Sequence, residues 1–247
     1  MTPCPYSAAS RSRWWLAGDA WEDPQCHSRA KGSRMRLALI SDIHANLEAL
    51  DATLANLRGV GADRVVCLGD VVGYNADAGE CLARLRELDP VWIAGNHDRA
   101  VSDQLSATGF NATAARAIAW TRANLLQADL DLLAGLPLKA AVGSAVVAVH
   151  GVLHPEVGCE LVRLNSDDKR RQTCAALERH PSGAHICAHG HTHRVSAYEM
   201  RGGRMADCTA DVVMLRDDAH YVINPGTVGE PRDCDRVATY MILDLAK

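Results

Sequence analysis

The sequence predicts an α/β fold whose C-terminal third has α+β character, and three features support this assignment. From Met35 onwards, short apolar runs alternate with segments in which leucine or alanine recurs at helical spacing. Polar residues follow each apolar run directly, as they do at the strand ends of parallel sheets. The last third holds strand-like segments separated by Gly-Gly, Asp-Asp and Pro-Gly pairs, a pattern typical of hairpins.

The elements follow one another without an internal repeat or a linker after Met35. Apolar runs predict strands over residues 37–40, 65–68, 91–94, 145–149 and 186–188. Helical periodicity predicts helices near residues 47–57, 82–88, 111–126 and 166–179. Turn signals and alternation predict further strands near residues 196–200, 211–215, 221–223 and 238–243. A single domain over residues 35–247 is therefore the simplest organisation.

The first 34 residues differ from the rest of the chain. They contain three of the five tryptophans together with several prolines, and they show no sustained period of 2 or 3.6. Their apolar patch is shorter than the core of a secretory signal, which spans about 7 to 15 residues. We expect residues 1–34 to be a disordered extension, and Met35 is a candidate for the natural start.

Composition limits the function classes. The chain has 247 residues, of which 48% are hydrophobic and 23% charged, with a formal net charge of −4. This balance is typical of a folded soluble domain, and without a basic excess it does not favour nucleic-acid or membrane binding. The nine cysteines are scattered without a C-x-x-C pair, which indicates reduced thiols. We therefore expect a cytoplasmic protein.

The predicted strand ends carry a set of carboxylate, amide and imidazole groups. These candidate ligands are Asp42, His44, Asp70, Asn96, His150, His191 and His193. A mixed oxygen and nitrogen set suits Mn, Fe or Zn, whereas a thiolate site would need clustered cysteines. Seven ligands are too many for one catalytic ion and suit two ions that share a carboxylate. Such pairs act on phosphoesters, so the residues indicate phosphoester hydrolysis.

The order of these motifs resembles that of the calcineurin-like metallophosphoesterases. The resemblance runs over about residues 36–193 and rests on Asp42-x-His44, Gly69-Asp70, the Gly-Asn-His-Asp run at 95–98, His150 and the Gly-His-Thr-His run at 190–193. The Asn-Pro-Gly-Thr-Val-Gly loop at 224–229 is similar to one in the small bacterial and archaeal phosphodiesterase branch. The resemblance implies a four-layer α/β/β/α sandwich of two mixed sheets flanked by helices.

The resemblance also assigns roles to individual residues. It gives Asp42, His44 and His193 to a first ion, Asn96, His150 and His191 to a second, and Asp70 to both. It implies that His97 protonates the leaving oxygen, that Asp98 orients His97, and that a hydroxide held by the two ions attacks phosphorus. Two divalent metal ions are expected as cofactors, with manganese the first choice and Fe, Ni, Co or Zn as alternatives.

Departures from other branches narrow the substrate. Protein Ser/Thr phosphatases carry Asp-Arg-Gly where this chain has Gly73-Tyr74-Asn75, and an arginine where it has Ala94. Because those arginines hold phosphate bidentately, phosphoprotein substrates are disfavoured. There is also no room for the cap of the DNA-repair nucleases. We expect small phosphodiesters or nucleotides as substrates. Candidate substrate contacts are Tyr74, Asn75, Asn96, His97, Arg99 and Arg232.

Two alternatives stay open from the sequence. The chain could be a phosphomonoesterase or nucleotidase, since the same metal motifs serve both reactions. It could also be a non-catalytic scaffold, like the retromer subunit that has this fold. The complete ligand set together with His97 favours an enzyme. The sequence leaves open whether the protein forms a homo-oligomer.

Overall fold

A computed structural model of the protein describes residues 13–17, 34–232 and 236–246. The strands are β1 (Arg13–Ala17), β2 (Arg34–Ile40), β3 (Arg64–Cys67), β4 (Val91–Trp92), β5 (Lys139–Val142), β6 (Val146–Val149), β7 (Ile186–Ala188), β8 (Val195–Arg201), β9 (Arg204–Asp207), β10 (Val212–Met214), β11 (His220–Pro225) and β12 (Tyr240–Ala246). The α-helices are α1 (Leu47–Val60), α2 (Ala78–Arg86), α3 (Asn96–Val101), α4 (Ala112–Asn124), α5 (Gln127–Gly135) and α6 (Asp167–Glu178).

The strands form two mixed six-stranded sheets. The first has the order β10-β1-β12-β2-β3-β4, and in it β2, β3 and β4 are parallel while β12 runs antiparallel to β2. The second has the order β5-β6-β7-β11-β8-β9, with β6, β7 and β11 parallel. The parallel strands bring their carboxyl ends to one edge of each sheet, where loops can meet.

Alternate side chains of the strands face different layers. Leu37 and Leu39 of β2 point into the core between the sheets and meet Tyr221 and Ile223 of β11 there. Ala38 and Ile40 belong instead to the cluster that α1 and α2 cover. On the second sheet, the outer side chains of β6 and β7 pack on α6. Strands covered on both faces read as continuous apolar runs, which explains their pattern in the sequence. The expected four-layer α/β/β/α sandwich is thus confirmed.

Several elements differ from the prediction. The expected helix at 111–126 ends at Asn124, and α5 follows it as a separate helix. The short α3 and the strands β5 and β9 were not predicted. These elements have four to nine residues, too few to establish a period. The C-terminal strands also do not all form hairpins, since β10 pairs in parallel with β1.

The N-terminal extension contributes one described strand. Residues 13–17, expected to lack regular structure, form β1 between β12 and β10. An Arg-Trp-Trp-Leu-Ala run favours strand geometry, and the exposed backbone of β12 supplies a pairing partner that the sequence cannot reveal. The rest of the expectation for residues 1–33 lies outside the described residues. Among the helices that the structure describes, none combines the length and apolar character that a bilayer crossing requires.

Candidate metal centre

The loops after β2 and β3 are joined by backbone hydrogen bonds. The amide of Asp42 donates to the carbonyl of Gly69 at 3.0 Å, and that of His44 donates to the carbonyl of Asp70 at 3.0 Å. Asp42, His44 and Asp70 have left-handed φ angles of 53°, 49° and 54°. Such conformations cost non-glycine residues about 1–3 kcal/mol each and cluster at functional sites. His191 and His193 share this conformation, so five candidate ligands from three loops have a left-handed backbone.

Two motif glycines allow these loops to approach one another. A Cβ on Gly95 would overlap Oδ1 of Asp70, which accepts a hydrogen bond from the amide of His97 at 2.8 Å. A Cβ on Gly190 would overlap Oγ of Ser41 and come within 2.8 Å of Oδ2 of Asp42. Both positions therefore exclude a side chain, which explains glycine at the start of the 95–98 and 190–193 runs.

Asp42, His44 and His193 form the first group of candidate ligands. Nδ1 of His44 lies 3.2 Å from the carbonyl of Val72, and Nδ1 of His193 lies 2.6 Å from that of Glu230. When each Nδ1–H donates to its carbonyl, both Nε2 atoms present lone pairs. These two atoms are 3.3 Å apart, and Nε2 of His193 is 3.0 Å from Oδ1 of Asp42. Three buried acceptors that converge in this way are suited to hold a cation between them.

Asp70, His150, His191 and Asn96 form the second group. Nδ1 of His150 lies 2.7 Å from the carbonyl of Leu68, so its Nε2 points inward. That Nε2 is 3.2 Å from Oδ2 of Asp70 and 3.1 Å from Oδ1 of Asn96. The ring of His191 lies 5.1 Å from that of His150. Oδ2 of Asp70 is also 3.7 Å from Nε2 of His44, so this carboxylate faces both groups.

The electrostatics of the centre favour bound cations. Burial alone would lower the pKa of His150, but the carboxylates of Asp70 and Asp42 raise this pKa to about 10. The buried Oδ1 of Asp42 has no hydrogen-bond partner within the described chain. The ligand atoms of three groups lie within 4.8 Å of one another: Asp42, His44 and His193; His44, Asp70 and His97; and Asp70, His150 and His191. Imidazole and carboxylate donors at this spacing fit divalent transition-metal ions.

His97 lies in the centre, but the carboxylate of Asp98 binds backbone amides and does not orient His97, in contrast to the role expected from the sequence. Oδ2 of Asp98 accepts hydrogen bonds from the amides of Asp70 and Gly95, at 2.8 and 2.9 Å. Its Oδ1 accepts from two further amides of the loop after Asp70. Nδ1 of His97 has no hydrogen-bond partner among the described residues. Asp98 therefore positions the Asp70 loop, a role hidden from the sequence because its donors are backbone amides.

Aromatic rings hold His97 in place. The ring of His97 lies 4.7 Å from that of Tyr74, 4.8 Å from that of His44 and 5.1 Å from that of Phe110. A Cβ on Gly73 would come within 2.5 Å of Nδ1 of His97, so the backbone at Gly73 packs against the Nδ1 edge of this ring. Burial lowers the pKa of His97. The ring is thus fixed by packing and is neutral near pH 7 in the free protein.

Of the other expected substrate contacts, Tyr74 lies against the centre, with its ring 4.7 Å from that of His97. Nδ2 of Asn75 donates to the carbonyl of His44 at 2.8 Å. Arg99 forms an ion pair with the buried Glu160 and donates to the carbonyl of Gln104 at 3.0 Å. Arg232 is paired with Glu230 at 2.6 Å. The structure therefore gives Asn75 and both arginines partners within the chain.

Three supporting residues were not singled out from the sequence. Oγ of Thr227 donates to the carbonyl of Asp42 at 2.7 Å. Nδ2 of Asn224 donates to the carbonyl of Gly190 at 2.8 Å. Both residues belong to the 224–229 loop, whose motif was visible although its contacts were not. Ser41 donates to Oδ2 of Asp42 at 2.6 Å, and its position next to a candidate ligand was the only signal for it.

Comparisons with known proteins cover the same part of the chain. The profile of the calcineurin-like phosphoesterase superfamily domain matches residues 35–247. An uncharacterized protein of Methanocaldococcus jannaschii is 34% identical over 212 residues, which are 84% of this chain and 82% of that protein. These matches include every candidate ligand.

Two solved structures resemble the chain with a TM-score of 0.65 each. The first is a metallophosphoesterase from Sphaerobacter thermophilus, with 31% identity over 84% of this chain and 82% of its own. The second, a hypothetical protein from Pyrococcus horikoshii, has 15% identity over 86% of this chain and 85% of its own, and it supports the fold alone.

Proposed function

This chain belongs to the calcineurin-like phosphoesterase superfamily and is a hydrolase of phosphoric esters, and we propose that it is a phosphodiesterase for small phosphodiesters or nucleotides. The observation that carries the proposal is the position of Asp70. Its Oδ2 lies 3.7 Å from Nε2 of His44 and 3.2 Å from Nε2 of His150, between the two ligand groups. One carboxylate that faces two groups supports a centre for two divalent ions.

In this proposal the candidate ligands hold two ions. Asp42, His44 and His193 would hold the first, and Asn96, His150 and His191 would hold the second. Asp70 lies between the two groups and would serve both ions. Manganese is the first choice, with Fe, Ni, Co or Zn as alternatives, because imidazole and carboxylate ligands accept all of these metals. When bound, such ions withdraw charge from phosphoryl oxygens and make water a nucleophile near neutral pH.

His97 supplies the proton for the leaving oxygen. Its ring is buried beside Asp70 and is fixed by Tyr74 and Phe110. Burial lowers the pKa of His97, whereas a bound phosphoryl anion would stabilise the imidazolium and raise this pKa towards neutrality. A group with such a pKa is suited to general acid catalysis.

The charges near the centre favour a diester over a monoester. A phosphomonoester carries a charge of about −1.5 to −2 at neutral pH, whereas a diester carries one negative charge. The two arginines expected to contact substrate, Arg99 and Arg232, are neutralised by Glu160 and Glu230. Neither arginine is therefore free to compensate the second negative charge of a monoester, which supports a diester as the substrate.

Hydrolysis of bis-p-nitrophenyl phosphate and p-nitrophenyl phosphate tests the proposal. Metal-stripped protein is assayed after addition of Mn, Ni, Co, Zn or Mg. We expect metal-dependent turnover of the diester that disappears in Asp70→Asn and persists in the exposed control Asp211→Asn.

Other outcomes would point elsewhere. Cleavage of the monoester alone would make the protein a phosphomonoesterase or nucleotidase. Two bound ions without turnover of either ester would favour the scaffold.

A further inference from the structure

An open cleft of about 740 Å³ lies beside the candidate metal centre. Its walls come from the start of α1, the loop containing Tyr74 and Asn75, and one face of α4. We propose that this cleft, here called the Trp120 cleft, binds the leaving group of the phosphodiester and that this leaving group is a nucleoside. The inference rests on the function proposed above, because it assigns a substrate class to the same site.

The position of His97 determines where the leaving group must lie. A general acid acts from hydrogen-bond distance of the oxygen that departs, so the leaving group projects from the side of the centre occupied by His97. The ring of Tyr74 packs against His97 with their centroids 4.7 Å apart, and Tyr74 also lines the cleft. Tyr74 thus forms the boundary between the reacting phosphate and the cleft. A leaving group on the His97 side of the phosphate therefore lies in the cleft.

One face of α4 provides a surface for a planar base. Thr113, Arg116, Ala117 and Trp120 follow one another at helical spacing and line the cleft, while Ile118 on the opposite face is buried in the core. The side chain of Trp120 is 48% exposed. An exposed indole at a cavity wall can stack with any nucleobase, because every base has a flat π-face.

The charged groups of the cleft select a neutral, hydrogen-bonding ligand. Asp77 is the N-cap residue of α2, but its side chain makes no capping hydrogen bond. Glu48 lies on the first turn of α1 and also lines the cleft. Within the described chain, the Arg116 guanidinium has no ion pair. Two carboxylates with one guanidinium disfavour a second phosphate and suit the hydroxyl and amino groups of a nucleoside.

The size of the cleft is consistent with this ligand. Sites for small molecules usually have volumes of about 300–1,000 Å³, and the Trp120 cleft falls within that range. Phosphodiesters with a nucleoside leaving group are therefore the expected substrates, and a dinucleoside monophosphate is the simplest of them.

Binding of adenosine tests the cleft without requiring turnover. Isothermal titration calorimetry is performed on the metal-loaded full chain and on its variants. We expect Trp120→Ala to raise the Kd for adenosine by about 5- to 150-fold, the range that corresponds to loss of one base–aromatic stack. Trp120→Phe should retain most of the affinity. Met214→Ala is the matched control, because Met214 is 42% exposed on β10 and does not line the cleft.

Hydrolysis of adenylyl-adenosine extends the test to catalysis. In Trp120→Ala we expect kcat/KM for this substrate to fall by a similar factor, with unchanged metal content and melting temperature. Absence of adenosine binding to the wild type, or equal binding to Trp120→Ala, would overturn the cleft assignment even if bis-p-nitrophenyl phosphate is cleaved. Adenosine binding that depends on Trp120, without cleavage of any diester, would instead refute the proposed activity and leave the cleft as a nucleoside-binding site.

Discussion

The candidate metal centre and the Trp120 cleft differ in how their side chains are held. In the centre, His44, His150 and His193 are buried, and each has one ring nitrogen directed to a backbone carbonyl. In the cleft, Arg116 and Trp120 are exposed on one face of a helix whose other face packs in the core. The difference teaches that the candidate ligands are held by contacts that also stabilise the fold. The exposed side chains of the cleft, in contrast, can be substituted without disturbing that fold.

The largest effect should come from the carboxylate shared by both ligand groups. We expect Asp70→Asn to lower kcat/KM for every ester by about 10³-fold or more, because it weakens the stabilisation of charge by both proposed ions. Cleft variants, in contrast, should discriminate between substrates. Steady-state kinetics on bis-p-nitrophenyl phosphate and adenylyl-adenosine make the comparison. If Asp70→Asn spared one substrate, the common centre would be refuted.

The next largest loss of turnover should come from substitution of His97. We expect His97→Ala to lower kcat by about 10²- to 10⁴-fold for a poor leaving group such as a nucleoside, and by less for p-nitrophenol. His185→Ala is the control, since His185 precedes β7 and lies at the end of that strand opposite His191. Metal content must be measured as well. Loss of an ion from His97→Ala would make His97 a ligand, a role its closeness to His44 and Asp70 allows.

A stability effect should separate the structural role of Asp98 from a catalytic one. In Asp98→Asn, an amide NH₂ must face backbone N–H groups that now donate to a carboxylate oxygen. We expect the free energy of unfolding of the metal-free protein to fall by about 2–4 kcal/mol, because buried donors lose their acceptors. Urea denaturation measures this change. Unchanged stability together with reduced turnover would restore the role of orienting His97.

The smallest effects on turnover should come from the two paired arginines. We expect Arg99→Gln and Arg232→Gln each to change KM by less than about 5-fold, since their guanidiniums already have protein partners. Arg99→Gln should in addition lower the free energy of unfolding by about 1–3 kcal/mol, because it leaves the buried Glu160 unpaired. A KM raised tenfold or more by either variant would identify that arginine as a substrate contact.

Much of the fold and the centre could be predicted from the sequence because each signal was local. The apolar run at 37–40 predicted a strand, and Asp42 and His44 directly after it predicted metal ligands at the end of that strand. Short elements such as β9 gave no period and were not found. Tyr74 was found through its place in a motif, whereas Trp120 belonged to no motif and fell only within the helix predicted near residues 111–126.

The sequence by itself determined the order of the longer strands and helices along the chain and the set of oxygen and nitrogen donors. It also determined the glycines that allow loops to touch, because all of these depend on residue type and spacing along the chain. The tertiary structure alone decided that Asp70 faces both ligand groups, that Asp98 binds the Asp70 loop instead of His97, and that Glu160 neutralises Arg99. These contacts join residues from 26 positions apart (His44 and Asp70) to 80 positions apart (Asp70 and His150), so only the packing of the layers specifies them.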